Sequence, residues 1–342
     1  MKKILFALTL LLLCLPTAAK AEETTFPATV VEVQETFIRI ENEVGKRFTI
    51  DRTVDVSGRQ SVVAGNKVTV ASIEHEDGNP QYIIIDFIRY PWMIGLIILF
   101  IISIILLNKK HGIISLLNIM LVGGIILYGI VPLILRGWSP VMVTTLGGSI
   151  AMLISIYLSY GINKKSHSAI ISIAISLLLT GILSALAIQV ASLTGFVSDE
   201  ATFLVAIGYD HINIKGLLLA AIMIGALGVF DDLAISQASV VYELIEANPR
   251  IKKTALFHAA LRVGQDHTSA MVNTLLFAYI GAAFPLVLLL SIGEAPFGSL
   301  TQILNHEVVA TELVRTLIGT LVILLLMPVT TIIATTLLFK KQ

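Results

Sequence analysis

Apolar and polar positions divide the chain near residue 90. Upstream, short runs rich in β-branched and aromatic residues alternate with turn residues. This pattern predicts strands over 28–33, 36–41, 46–51, 67–73 and 82–89, with turns at 42–45 and 77–80. Five or six short strands suggest a small all-β domain, barrel-like in the OB or SH3 manner. Downstream, apolar residues run almost unbroken over 92–107, 113–135, 141–160, 169–193, 214–235, 269–291 and 313–338. A bilayer crossing needs about twenty such residues, so the expectation is an α-helical multi-pass membrane protein with about seven spans. The stretch 194–213 holds an apolar run too short to cross and is expected to form a re-entrant or interfacial turn.

The N-terminus changes this picture. Lys2 and Lys3, an apolar run over 4–15, Pro16 and the small residues Ala19 and Ala21 have the form of a secretory signal peptide, 1–21. The alternative is an uncleaved anchor. Export of the β-domain, 22–89, would place it outside, followed by the helical domain, 90–342. Charge placement agrees with that orientation. One set of loops carries Lys109 and Lys110, Lys164 and Lys165, Arg250, Lys252, Lys253 and Arg262, then Lys340 and Lys341, whereas the opposite set has Arg136, Lys215 and Arg315. Basic loops stay on the inside, which puts the C-terminus in the cytoplasm after an odd number of crossings. The single cysteine, Cys14, lies within the signal, so the mature chain has no thiol for a disulfide or thiolate site.

Composition narrows the function. Of 342 residues 56% are hydrophobic and 13% charged, which suits a chain embedded in lipid. Net charge is zero, so nothing argues for a nucleic-acid partner. The expected partners are the lipid bilayer, a small solute or ion, and a homo-oligomeric copy or second membrane subunit.

Against this apolar background two segments carry polar side chains. In the fifth span Asp232, Ser236, Ser239 and Glu243 follow spacings of four, three and four; near the sixth, Arg262, Asp266, Ser269 and Asn273 repeat them. Each set shares a helix face. Two antiparallel helices would then turn polar stripes toward each other, with Asp232 rather than Asp231 facing the sixth span. Asp232 and Asp266 would share a cation or a proton, with Gln237 and Asn273 as neutral ligands, in the hard-oxygen manner of Na⁺ or divalent cations. A helix break near Gly225 and Gly228 would free carbonyls for the same purpose. His267 is a weaker ligand or proton-carrier candidate. The ordinary alternative is that these acids are solvated and that Arg262 and Asp266 form a helix-surface ion pair. Asp210 and His211 are read as caps for the fifth span, His306, Glu307, Glu312 and Arg315 as an outer amphipathic stretch with a local ion pair, and Asn118, Gly147 and Gly148 as packing devices.

The strings GALGVFDDLAISQASVVYEL and GQDHTSAMVNTLLFAYIGAAFPLVLLL resemble the YibE/F-like family of bacterial multi-pass membrane proteins. Their specific elements are G-x-x-D-D-x-A-x-S-Q around Asp231 and G-x-D-H-x-x-x-x-x-N-T-L around Asp266, and the exported β-domain resembles that of the YibE-type members. The resemblance implies a plasma-membrane protein of the permease kind without naming a substrate. The leading expectation is an ion-coupled transporter that uses Asp231, Asp232, Ser236, Gln237, Asp266, His267 and Asn273. Two others stay open: a metal-dependent intramembrane enzyme acting on a lipid-linked substrate, and a non-catalytic scaffold or sensor. The chain lacks a Walker A sequence and an H-E-x-x-H pair.

Overall fold

The computed structural model describes residues 24–51, 62–74, 80–292 and 299–339. The expected signal peptide and the turn at 77–79 lie outside them. Contacts divide the chain into two compact units, Met1–Lys109 and Lys110–Gln342.

In the first unit the strands are β1 (Thr24–Val33), β2 (Phe37–Asn42), β3 (Arg47–Asp51), β4 (Lys67–Glu74) and β5 (Pro80–Phe87). They form one antiparallel sheet in the order β3-β2-β1-β4-β5. Alternation sends Val30, Ile38, Ile40, Ile50, Val68, Val70 and Ile84 into a common core. The sheet curls, because Phe48 on β3 and Tyr82 on β5 bring their rings to 4.6 Å, with Phe26 of β1 5.2 Å from Phe48. The β2–β3 turn is set by Asn42, whose Oδ1 accepts from the Val44 and Lys46 amides, and by Gly45 at φ 82°.

Helix α1 (Tyr90–Gly124) is apolar on either side of a polar run, Asn108 to His111, and holds one non-helical residue within that run, Lys109, at φ 51° and ψ −122°. A single turn of π-helix (Ile125–Ile130) joins it to α2 (Val131–Leu135). Then come α3 (Pro140–Tyr160), α4 (Lys164–Val190), α5 (Asp199–Ala206), α6 (Ile214–Ala247), α7 (Lys253–Ala282), α8 (Phe284–Ile292), α9 (Leu300–Asn305) and α10 (Glu307–Leu338).

Sequence explains most of these boundaries. Asn163, Ser198, Asn213 and Ser299 each accept a bond from a first-turn amide, so α4, α5, α6 and α9 start at side-chain caps. Asn213 therefore takes the role expected of Asp210 and His211. The His211 ring instead lies with Nε2 3.0 Å from the Leu135 carbonyl. Pro140 opens α3 and Gly161, at φ 76°, closes it. The stretch after α4 contains α5, a helix of eight residues, and is held by Glu307, whose carboxylate accepts from Thr194 N and Oγ1 and from Gly195 N.

Among the described residues five helices are long and apolar enough to cross a membrane, or six when α7 and α8, bent by 69°, count as one. The two expected spans at 92–107 and 113–135 form one 46-residue stretch, Tyr90–Leu135, interrupted at Lys109. Helix α6 occupies the centre of the second unit: 61% of its most apolar window is buried, against 39% in α3 and α4 and 44% in α10. Its Ile222, Met223, Phe230 and Leu233 lock against Ile173 and Leu177 of α4 and Val322, Ile323 and Leu326 of α10. Small residues allow this approach. A Cβ on Gly148 would stand 2.5 Å from Leu227 Cδ1, and one on Gly147 would stand 2.7 Å from Ile130. Asn118 donates from Nδ2 to Ser159 Oγ at 2.5 Å and ties the end of α1 to α3.

Candidate functional site

The buried face of α6 runs through Phe230, Leu233, Ala234, Gln237, Ala238 and Val241. At 100° per residue the stripe of Asp232, Ser236, Ser239 and Glu243 lies roughly half a turn away from the middle of that face. Asp232 and Glu243 are accordingly exposed, Ser236 and Ser239 half-buried, and Ser239 Oγ bonds back to its own helix at the Ile235 carbonyl. On α7 the inward residues are Leu256, Ala260, Gly264, Thr268 and Leu275. Asp266 sits about 200° round from Gly264. Arg262, Asp266, His267, Ser269 and Asn273 are all exposed. The two polar stripes thus do not face each other, and no hydrogen bond or ion pair joins Asp232 to Asp266. The equal spacings were real, but spacing fixes which residues share a face and not where that face points.

The helices meet instead at a residue outside either stripe. Gln237 is 2% exposed, and its Nε2 donates to the Ala260 carbonyl of α7 at 3.0 Å and to Thr331 Oγ1 of α10 at 2.7 Å. Gly264 makes room for it, since a Cβ there would fall 2.5 Å from Gln237 Oε1. Thr331 passes the chain on by donating to the Met327 carbonyl. That bond lies beside Pro328, which removes one backbone donor from α10. Both quoted motifs therefore contribute to one junction, through Gln237 in the first and Gly264 in the second.

The aspartates behave differently from expectation. Asp231, not Asp232, is turned toward protein: it is half-buried, and its Oδ1 is sealed with no hydrogen-bond partner. Asp231 lies about 100° from Phe230, at the margin of the buried face. The phenol of Tyr160, the last residue of α3, is within electrostatic range of both carboxylates. Lys165 lies over the same ring, with Nζ 5.9 Å from its centroid. Helix α6 continues unbroken past Gly225 and Gly228, so no carbonyls are freed there. Gly225 serves packing: the Tyr279 hydroxyl would lie 3.7 Å from a Cβ on it and 3.3 Å from one on Gly319. Near that hydroxyl, Arg315 Nη1 holds Glu312 at 2.9 Å, as the sequence suggests.

Among the described residues no three His, Cys, Asp or Glu side chains gather into a group suited to a metal ion. Two adjacent carboxylates fit a proton or a monovalent cation better than a divalent ion, which takes six or more oxygens.

A family model for YibE/F-like proteins matches residues 96–340, most of the helical domain. The chain belongs to the YibE/F-like family. The match spans both motifs, so Asp231, Gln237, Gly264 and Asp266 all lie inside the shared region. No curated protein and no solved structure matches the chain. Three residues of this YibE/F-like site escaped sequence reasoning. Thr331 and Tyr160 lie far from the motifs in sequence, and nothing local marks them. Gly264 stands in the second motif, where a glycine in mid-helix was the available signal for close approach.

Proposed function

We propose that this YibE/F-like chain is a plasma-membrane permease that couples movement of a small solute to a proton or monovalent cation carried at Asp231 and Asp232. The observation that carries this reading is the sealed, partnerless Oδ1 of Asp231 on the most enclosed helix of the bundle. A carboxylate oxygen withdrawn from water without a donor is costly, and a bound proton or cation relieves that cost. Asp232, exposed next to it, gives the ion an entry point. Asp266, His267 and Asn273 form a second polar face on α7, suited to a water-lined path or to contact with a further subunit rather than to the Asp231 ion.

Membrane placement follows from sequence. Reading the break at Lys109 as a turn between two crossings, and α7 with α8 as one bent span, gives seven crossings. Basic residues then collect on the cytoplasmic side, with the β-sheet domain outside and the C-terminus inside. Growth of a deletion strain across metals, pH and small solutes identifies the transported class. Flux of that solute into vesicles, with Asp231→Asn compared at matched abundance, then tests the coupling role. Wild-type flux with unchanged ion dependence would defeat the proposal.

A further inference from the structure

A cavity of about 730 Å³ opens where the α3–α4 turn, the α6–α7 loop and the end of α10 come together. Its wall mixes two chemistries. Its lining joins Lys164 and Lys165 with the apolar residues Ile245, Ile251, Leu338 and Phe339. The single acid on the wall is Glu246, and neither lysine forms an ion pair among the described residues. Positive charge is therefore in excess inside a concave site. All three elements are helix ends of the same bundle, so the cavity sits at the level where apolar spans give way to polar loops.

An occupant has to match both halves. A soluble anion would satisfy the lysines and leave four large apolar side chains facing water, and a purely apolar ligand would leave the excess positive charge without a partner. We infer that this cavity binds an anionic phospholipid, its phosphate head at Lys164 and Lys165 and the upper part of an acyl chain against Ile245, Ile251, Leu338 and Phe339. Basic pockets between membrane helices recognise anionic head groups by this combination. The site is independent of Asp231 and does not require the chain to be a permease.

The test is native mass spectrometry of the purified full chain offered equal amounts of phosphatidylglycerol and phosphatidylcholine. Phosphatidylglycerol is expected to be retained in preference, and Lys164→Gln with Lys165→Gln to lower that preference by roughly fivefold per lysine removed. Leu338→Trp, which fills the apolar half and keeps both lysines, should reduce retention of either lipid. Lys252→Gln with Lys253→Gln, outside the cavity, should change nothing. Equal retention of the two lipids, or an undiminished preference in the Lys164 and Lys165 variant, would overturn the inference. Thermal stabilisation by glycerol phosphate equal to that by the lipid, unaffected by Leu338→Trp, would overturn the lipid assignment in favour of a free phosphate compound.

Discussion

Gln237 Nε2 donates to Thr331 Oγ1 at 2.7 Å across the α6–α10 interface, at a point where Gly264 of α7 leaves the amide its space. Three helices are registered by this one side chain. Gly264→Ala should destabilise the protein by about 1–3 kcal/mol, because the added methyl displaces a buried, hydrogen-bonded amide. In a Gln237→Ala background the same change should cost little, since the obstructing group is gone. Thermal unfolding of the four proteins in one detergent checks this, and additive effects would show that the two residues do not compete for space.

Much of the architecture could be read before the structure was known, and the reasons are physical. Long apolar runs act locally, so α3, α4, α6 and α10 lie over the expected runs, and the five strands and the Asn42–Gly45 turn lie near theirs, whereas the run expected as one span over 269–291 bends by 69° between α7 and α8. Azimuth was not legible. Periodicity grouped Asp232 with Ser236 and Asp266 with Ser269, yet the stripe was assigned to the wrong side because in a membrane protein the outward face need not be the apolar one. Gln237 lies in the same motif and was named as a neutral ligand. Its true partners, Ala260 and Thr331, depend on how α7 and α10 pack, which no local pattern states.

Glu307 offers a second prediction. Its carboxylate collects three donors from Thr194 and Gly195, across more than a hundred residues of sequence. Gly195, at φ 89°, lies so close to α6 that a Cβ would meet the Ile214 carbonyl at 2.9 Å. Glu307→Ala should release this loop and raise amide hydrogen exchange at 194–196 by about tenfold or more, charge-assisted bonds being the strong ones. Exchange in α4 and α6 interiors should stay unchanged. No change at 194–196 would mean that the glycine contact alone holds the loop.

A third prediction concerns pH in the sheet domain. The Arg89 guanidinium, bonded to Asp86 at 2.6 Å, holds that carboxyl below its ordinary value, and the Phe87 amide adds to the effect. A folded-state value below the unfolded one means the interaction contributes at neutral pH and is lost as pH falls through the lowered value. Arg89→Gln should move the Asp86 titration upward toward the ordinary carboxylate range. Carboxyl ¹³C shifts followed against pH measure this, and an unmoved midpoint would reject Arg89 as the cause.

Asp266 gives a fourth. Exposed and about 200° from the inward Gly264, it makes no contact that the fold depends on. Asp266→Asn should leave thermal stability within about 0.5 kcal/mol of wild type, as surface substitutions do. A larger loss would indicate that its face is covered, by a second copy or another subunit, and thiol-directed cross-linking of an Asn273→Cys variant would then identify the neighbour.

The central claim is that the coupling ion rides on Asp231, and solute flux in membrane vesicles at matched protein abundance tests it most directly. The expected result is that Asp231→Asn lowers ion-dependent flux by at least about tenfold while Asp266→Asn changes it little. Flux through Asp231→Asn at the wild-type rate, with the ion dependence intact, would contradict it.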